Sequence, residues 1–530
     1  MLKVIATDGM APAGVEVFEK SKDVEIDIRK GVDADELLKI IPEYDGIIVR
    51  SATKVTEEVI KAGEKLKAIG RAGVGVDNVD IKTASRRGII VMNTPQANTI
   101  STAEHTLAML FALARRIPEA DAFMKKGEWA KKKLKGVELY GKVLGVIGFG
   151  KIGRWVAKVC HSVGMKIIAY DPMVSDDKVR EADATPVALA HLFKQSDFIT
   201  VHTPVNNETR NMINKDTIAT MKDGVRMVNC ARGGIINEDD LCDAIDSGKV
   251  AGAALDVFPK EPNQNERLQK YPQIILTPHI AASTDEAQSK VGVEVAEEMV
   301  DFLANGTISN AINATAMGEE ERNQLLPFVE LGTGLGSILA QVACGDIKAL
   351  KIICEGTLNN IDITPITRAI ICGVLSYNVE GVNQVNAELM ADEQGLKVEK
   401  TKTSHVKGYT NFIRVEATKE NGEMTSIGGT IFGDDKLHPR IVRINDFHVD
   451  VIPEGYLLIL AHKNAPGIIG KVGTILGNAD INICRMTCDS LTAAGEINVG
   501  AFGVDKCMGD EILKTIRNTD GVLEAHCVKL

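Results

Sequence analysis

Arg232, Glu261 and His279 are the side chains in this sequence that could together hold an anion and move a proton. They lie in Val228-Asn229-Cys230-Ala231-Arg232-Gly233-Gly234, Asp256-Val257-Phe258-Pro259-Lys260-Glu261-Pro262 and Thr277-Pro278-His279-Ile280-Ala281-Ala282-Ser283. Unperturbed histidine titrates near about 6.5, which suits it to take a hydroxyl proton close to neutral pH. A carboxylate beside it fixes the imidazole in one tautomer. Arginine offers a planar fork of donors to a carboxylate and a reacting oxygen. Taken singly, each has a plainer reading, as a turn residue, a surface charge and a satisfied loop histidine. Each motif, however, follows an apolar run with strand character, so all three belong at the carboxyl edge of a sheet, where open α/β folds bind ligands. The set fits oxidation of a secondary alcohol, with His279 as acid/base, Glu261 as its partner and Arg232 as the clamp on the substrate. Such a reaction needs a hydride acceptor.

The acceptor is implied by Gly145-Val146-Ile147-Gly148-Phe149-Gly150-Lys151-Ile152-Gly153-Arg154 and by Tyr170-Asp171. The run Val143 to Ile147 reads as a strand, and a helical pattern follows Gly153. A second apolar run ends at Asp171, at the offset expected of a dinucleotide-binding βαβ unit. Gly148 permits the tight turn, Gly150 lets backbone approach a pyrophosphate, and Gly153 lets helix pack on strand. The helix N-terminus adds unpaired N–H groups and partial positive charge. Asp171 accepts hydrogen bonds from ribose hydroxyls and repels a 2′-phosphate, so the cofactor expected is NAD.

Composition narrows the remaining possibilities. A chain of 530 residues should hold several domains. Its net charge of −11 argues against a nucleic-acid partner. An anionic substrate must then be met by a local basic cluster. The 10 cysteines show no metal-ligand spacing, so no metal is expected, and they read as reduced cytoplasmic thiols. Cys484 and Cys488 read as core packing on a strand. No uninterrupted apolar run approaches membrane-spanning length, and the N-terminus begins as a strand rather than a signal peptide.

The elements that must position these residues are alternating. Lys3–Thr7, Val24–Ile28, Gly46–Val49, Ala68–Arg71 and Ile89–Asn93 read as strands, with helices at Ala34–Ile41 and Thr56–Ala62, a parallel α/β pattern. Ile100–Arg116 reads as one long helix leading to the cofactor unit. Strands then follow at Phe198–Val201, Arg226–Asn229, Gly252–Leu255 and Ile274–Thr277. An amphipathic helix over Thr284–Asn305 carries the chain back to the first domain. The fold expected is therefore α/β, with a Rossmann-type NAD domain (98–284) inserted in an α/β substrate domain (1–97 and 285–315). Residues 316–452 read as an accessory α+β domain. Residues 453–530 follow a βαββαβ order, ferredoxin-like, with a hairpin around Thr492-Ala493-Ala494-Gly495.

The three catalytic motifs, with Arg71-Ala72-Gly73-Val74-Gly75-Val76-Asp77-Asn78-Val79-Asp80 and Val201-His202-Thr203-Pro204, resemble the D-isomer-specific 2-hydroxyacid dehydrogenases, and most closely their branch that oxidises 3-phosphoglycerate. The resemblance implies a flavodoxin-like substrate domain and assigns Arg232, Glu261 and His279 as the catalytic set. It carries cofactor contacts onto Lys151, Ile152, Asp171, Thr203, Pro204, Cys230, Ala231, Asp256, Ala281 and Ala282 besides the glycines. Val74 departs from a position commonly occupied by a hydroxyl residue. Val49-Arg50-Ser51-Ala52-Thr53 resembles the family's phosphate-binding strand end, so Arg50, Ser51, Arg71, Gly73 and Lys131 are the expected substrate contacts. The activity implied is NAD-dependent oxidation of 3-phospho-D-glycerate to 3-phosphohydroxypyruvate, the first step of L-serine biosynthesis. The alternatives are a broader dehydrogenase or reductase acting on 2-hydroxyglutarate or hydroxypyruvate and, from another class, an NAD-sensing corepressor-like scaffold. The last domain resembles an ACT regulatory module, whose serine-binding positions fall on His462, Asn464 and Asn482 across an interface between two copies. The intervening segment resembles an allosteric-substrate-binding domain in which Lys436, Arg440 and Arg443 could hold an anion. Family analogy implies a homotetramer or dimer, with no membrane or nucleic-acid partner.

Overall fold

A computed structural model of the chain describes residues 1–315, 319–343, 345–433, 437–490 and 497–530. The expected turn around Thr492 and the side chain of Lys436 lie outside the described residues. The chain divides into two compact units, one comprising Met1–Met10, Val15–Asn93 and Val295–Leu530, the other Ala11–Gly14 and Thr94–Glu294.

The second unit is built on seven parallel strands. In spatial order they are Ile274–Leu276, Val250–Leu255, Val225–Asn229, Phe198–Val201, Val143–Ile147, Lys166–Tyr170 and Thr185–Pro186. Strand order reverses beside Val143–Ile147, where a crevice at the carboxyl ends is expected. The near-continuous apolar runs are explained by burial on both faces, since helices cover each side of a parallel sheet. Helix Lys151–Ser162 buries Val156, Ala157 and Cys160 in one core with Ala103, Leu107 and Leu110 of helix Thr99–Arg115. Each large apolar side chain so buried contributes about 1.5–3 kcal/mol. The long helix expected here ends one residue early. Arg116 turns left-handed at φ 53°, and a second helix, Ile117–Lys125, follows with Pro118 in its first turn, where the missing N–H costs nothing.

In the first unit, five parallel strands run in the order Val24–Ile28, Leu2–Ala6, Gly46–Val49, Ala68–Arg71 and Ile90–Asn93. This is the flavodoxin-like order. The end of helix Asp285–Asn305 lies on this sheet, and a Cβ at Gly46 or Gly70 would come within 2.8 or 2.9 Å of Met299 or Val295. Those two glycines admit the helix.

The same unit holds two further sheets. One has six strands, with the largely polar edge Lys397–Thr403 parallel to Ile347–Gly356 and the others antiparallel. The other is the antiparallel ferredoxin-like sheet, ordered Ile483–Ser490, Ile497–Val504, Tyr456–Lys463, Val522–Lys529. Alternate residues of Tyr456–Lys463 divide between two cores: Leu458 and Leu460 face the domain's own helices, while Leu457 and Ile459 join the core built on helix Glu319–Ala343. That helix runs for 25 residues. By length and mean hydropathy it could cross a membrane, yet half of its apolar stretch is buried, with Leu331, Leu335, Ile338 and Leu339 in the core. Cys484 and Cys488 are exposed rather than packed in a core: they lie on the edge strand, at the rim of the sheet and outside the buried cluster beneath the domain's helices.

Candidate active site

The cofactor loop shows why its three glycines differ. Gly148 has φ +90°, and a Cβ there would lie 2.5 Å from the carbonyl oxygen of His202. A Cβ at Gly153 would lie 2.1 Å from the carbonyl of Gly148. Gly150, at the N-cap of helix Lys151–Ser162, would meet no protein atom within 4 Å. The first two glycines are therefore required by the fold, and the third keeps open space in front of a helix N-terminus. Beside Gly148, the Thr203 hydroxyl is buried and has no hydrogen-bond partner among the described residues. Burial pushes the neighbouring His202 down to about 4, so it is neutral, and its Nε2 lies 3.0 Å from Thr200 Oγ1.

Asp171 follows strand Lys166–Tyr170, and its two oxygens accept from the N–H groups of Phe149 (2.7 Å) and Met173 (2.8 Å). These bonds tie the glycine loop to the acidic residue. A cavity of about 260 Å³ opens here, lined by Asp171, Val174, Pro186 and Val187 among others. Open space at Gly150, an orphaned hydroxyl at Thr203 and a carboxylate at the rim of a partly apolar cavity fit a dinucleotide. Lys151 is exposed at the helix start, and Ile152 packs against the core.

Strand Val225–Asn229 delivers Arg232 through a loop pinned by Asn229. The Asn229 oxygen accepts from Ala231 N (3.0 Å) and its amide donates to Arg232 O (2.9 Å). Arg232 itself donates to Ala231 O at 2.7 Å. Burial pushes the Cys230 thiol up to about 12, so this position presents a neutral thiol. A Cβ at Gly233 would lie 2.0 Å from the carbonyl carbon of Phe258. The glycine thus brings the Arg232 loop into contact with the loop bearing Glu261.

Glu261 accepts from Phe258 N through Oε1 (3.1 Å) and faces His279 Nδ1 through Oε2 at 2.7 Å. His279 is held at φ +54°, a left-handed backbone that costs a non-glycine residue energy and is retained only where the surroundings impose it. The imposing group is Asp256, fully buried. Its Oδ1 accepts from Ile280 N (2.9 Å) and Thr277 Oγ1 (2.6 Å), and its Oδ2 from Ala281 N (3.0 Å). His105 Nε2 lies 3.3 Å from the same carboxylate. Burial alone would raise the Asp256 pKa, but His105, Thr277 and the two N–H groups outweigh it and hold the carboxyl below its ordinary range. Sequence reasoning placed Asp256 among the cofactor contacts and gave His105 no role. The structure shows the carboxylate organising the turn that carries His279, Ala281 and Ala282. An aspartate at a strand end was visible in the sequence; the histidine that meets it from a helix far away in the chain was not.

In the first unit, Arg50 follows strand Gly46–Val49 and Arg71 ends the adjacent strand Ala68–Arg71. The loop of Arg50 and Ser51 is fixed by Asp8, which accepts from Arg50 N (2.7 Å) and Thr53 Oγ1 (2.6 Å), and by Asn78, which donates to Arg50 O (2.8 Å). Among the described residues no side chain pairs with the Arg50 guanidinium. Gly73, at φ +145°, leaves room for Arg71 Nη1, which a Cβ would overlap at 1.4 Å. Neither Asp8 nor Asn78 stood out in the sequence as a loop anchor. Lys131 belongs to the other unit, exposed in a 3-10 turn, Lys131–Lys133.

In the ferredoxin-like domain His462 is buried. Its Nδ1 lies 2.7 Å from Lys463 O, and its Nε2 finds no partner among the described residues. Asn464 accepts from Asn498 Nδ2 at 3.1 Å. Asn482 lies elsewhere. His462 pairs with Asn498, whereas Asn482 precedes Ile483, which pairs with Val504 at the far end of the sheet. Six residues of strand separate the two ends, roughly 20 Å, so one copy does not bring the three residues together. In the intervening domain Arg440 is paired with Asp450 at 3.1 Å.

Comparison with known proteins agrees with this geometry. Residues 107–281 match the D-isomer specific 2-hydroxyacid dehydrogenase, NAD binding domain, and residues 324–445 match the D-3-phosphoglycerate dehydrogenase intervening domain. The chain is 41% identical to D-3-phosphoglycerate dehydrogenase of Synechocystis sp., over all of this chain and 95% of the relative. It is 38% identical to the Bacillus subtilis enzyme of that name over the whole of both. Among solved structures, the NAD+-bound 3-phosphoglycerate dehydrogenase of Entamoeba histolytica is 30% identical, with a TM-score of 0.51 over 59% of this chain and 98% of that one. The D-lactate dehydrogenase of Aquifex aeolicus, complexed with NAD and lactic acid, is also 30% identical, with a TM-score of 0.53 over 59% of this chain and 100% of that one.

Proposed function

The chain belongs to the D-3-phosphoglycerate dehydrogenases of the D-isomer-specific 2-hydroxyacid dehydrogenase family, and from that membership we propose how its residues carry out NAD-dependent oxidation of 3-phosphoglycerate to 3-phosphohydroxypyruvate, the entry to serine synthesis. The observation that carries the catalytic assignment is the 2.7 Å contact of His279 Nδ1 with Glu261. Glu261 accepts a hydrogen bond from His279 Nδ1–H, which keeps that proton on Nδ1 and leaves the Nε2 lone pair free to accept the proton of the C2 hydroxyl. Arg232, presented by the Asn229-pinned loop, binds the substrate carboxylate and steadies the developing carbonyl oxygen. Bound NAD supplies the acceptor for the C2 hydride. Gly150 and the N–H groups of the helix start receive its pyrophosphate, Thr203 donates to it, and Asp171 accepts from its ribose. Arg50, with no partner among the described residues, and Arg71 are assigned to the substrate's phosphate, and Lys131 adds positive charge.

The intervening and ferredoxin-like domains support a regulatory role. We assign L-serine to an ACT–ACT pairing in a homo-oligomer, where the buried, unpartnered Nε2 of His462 and the side chain of Asn464 would meet Asn482 of a second copy. The reduced thiols fit a cytoplasmic enzyme. The test is NADH formation from NAD with 3-phosphoglycerate, against D-glycerate and 2-hydroxyglutarate, with and without millimolar L-serine. Preference for the phosphorylated acid supports the assignment of Arg50. Equal rates with the unphosphorylated acids refute it, and a rate indifferent to serine refutes the regulatory site.

A further inference from the structure

Away from the dehydrogenase machinery, the first unit contains a cavity of about 160 Å³ where the chain leaving helix Asp285–Asn305 meets the intervening domain. Ile308, Leu326, Val329, Pro365 and Val385 give it apolar walls. Leu326 remains 40% exposed, an apolar side chain left facing the opening rather than a core. Two guanidinium groups reach the cavity, and they are not equivalent. Arg368 is spent: it bonds Glu388 at 3.1 Å and Thr315 Oγ1 at 3.3 Å, and Lys400 also grips Glu388. Arg322 is half-buried and, among the described residues, has no hydrogen-bond or ion-pair partner.

The ordinary use for an arginine in this place would be to cap the helix, because its Nη2 lies 3.6 Å from where a Cβ would stand on Gly306, just past the helix end. That helix is already closed by its own turn. Gly306, at φ +69°, returns its N–H to Phe302 O at 2.8 Å, and Thr307 N donates to Asp301 O at 3.3 Å. Among the described residues, therefore, nothing takes the donors of Arg322, in a pocket that holds a positive charge against apolar walls. A guanidinium in this position pairs best with a planar anion in bidentate geometry, and the walls ask for an aliphatic body attached to it. The volume corresponds to about five waters, which admits a short chain and excludes a nucleotide.

We propose that this cavity is a binding site for a short aliphatic carboxylate, its carboxyl group on Arg322 and its chain against Leu326, Val329 and Pro365. The site is independent of the substrate assignments above. It lies on helix Glu319–Ala343, whose other end donates from Gln341 Nε2 to Lys529 O (3.0 Å) in the last strand of the ferredoxin-like sheet. An occupant would thus bear on the helix that joins the two regulatory sheets.

The test is calorimetric titration of the full chain with 4-methylpentanoate, with 4-methylpentan-1-ol and inorganic phosphate as probes lacking the charge or the body. The expected result is saturable 1:1 binding of the acid, weakened at least about tenfold in Arg322→Gln and also in Val329→Phe, which fills the cavity. Arg322→Gln should melt with the parent and keep its dehydrogenase rate, because its side chain holds no other group among the described residues. Equal binding of the acid by Arg322→Gln, equal binding of the alcohol, saturation by phosphate but not the acid, or no saturation at tens of millimolar would each overturn the proposal.

Discussion

Replacing Glu261 by glutamine changes one atom and should remove most of the activity. The carboxylate serves two donors with two oxygens: Phe258 N at 3.1 Å and His279 Nδ1 at 2.7 Å. An amide has one acceptor oxygen. If that oxygen stays on Phe258 N, the new NH2 faces His279 Nδ1, and the imidazole must move its proton to Nε2, the atom needed to receive the substrate's proton. If the amide turns the other way, the tautomer survives but two donors face each other at Phe258. The second arrangement forfeits a charge-assisted bond, about 1.5–3 kcal/mol when shielded. Glu261 and His279 are 38% and 42% exposed, so water recovers part of this and the lower end applies. That corresponds to about tenfold in rate, while the wrong tautomer forfeits the about 10²–10⁴ supplied by a positioned base. A mixture of the two predicts a fall in kcat of about 30- to 300-fold. KM for 3-phosphoglycerate and the NADH Kd should change by less than about threefold, because neither Arg232 nor the glycine loop is touched. Steady-state NADH formation and fluorescence titration of NADH measure both. A folded Glu261→Gln enzyme that keeps more than a third of its kcat would refute the tautomer argument.

Three further outcomes follow from particular contacts. Gly150→Ala should leave the melting temperature unchanged but weaken NADH binding at least about tenfold, whereas Gly153→Ala should unfold early by thermal melt, because its methyl would lie 2.1 Å from backbone. Arg50→Gln should raise KM for 3-phosphoglycerate by about tenfold or more with little change in stability, since its guanidinium has no side-chain partner among the described residues; unchanged KM in steady-state kinetics would remove Arg50 from the phosphate site. Asp256 is held below its ordinary pKa range, so its contribution to stability is complete above about pH 4 and is lost as the pH falls through its folded value. The stability gap between the parent and Asp256→Asn in urea titrations should therefore be constant from about pH 5 to 8 and shrink below about pH 4.

Much of this molecule is local, and local features are written in the sequence. A strand, a turn and a helix within a few residues of one another set the geometry around Gly148, Gly150 and Gly153, and Asp171 was identifiable by its offset. The strands carrying Arg50, Arg232 and His279 were visible as apolar runs because parallel strands are buried on both faces. The ferredoxin-like order of the last domain was legible from its local succession of apolar strands and helical patterns separated by turns. Helix ends were less so: a left-handed Arg116 and a helix beginning at Glu319 depend on what packs around them, not on periodicity.

Tertiary structure alone decided which side chains meet. Asp256 accepts from one turn and faces His105 on a helix about 150 residues earlier in the chain, so its burial and low pKa exist only once the sheet and that helix are assembled. Asp8 anchors the Arg50 loop across two strands. Asn482 falls at the opposite end of the sheet from His462 because antiparallel pairing reverses the chain between them. Arg322 reads as one more surface charge until the turn at Gly306 closes the nearby helix and leaves its donors unused. Residue type and spacing fix what chemistry a chain can offer; close approach of distant segments, which spacing does not encode, fixes where that chemistry is poised.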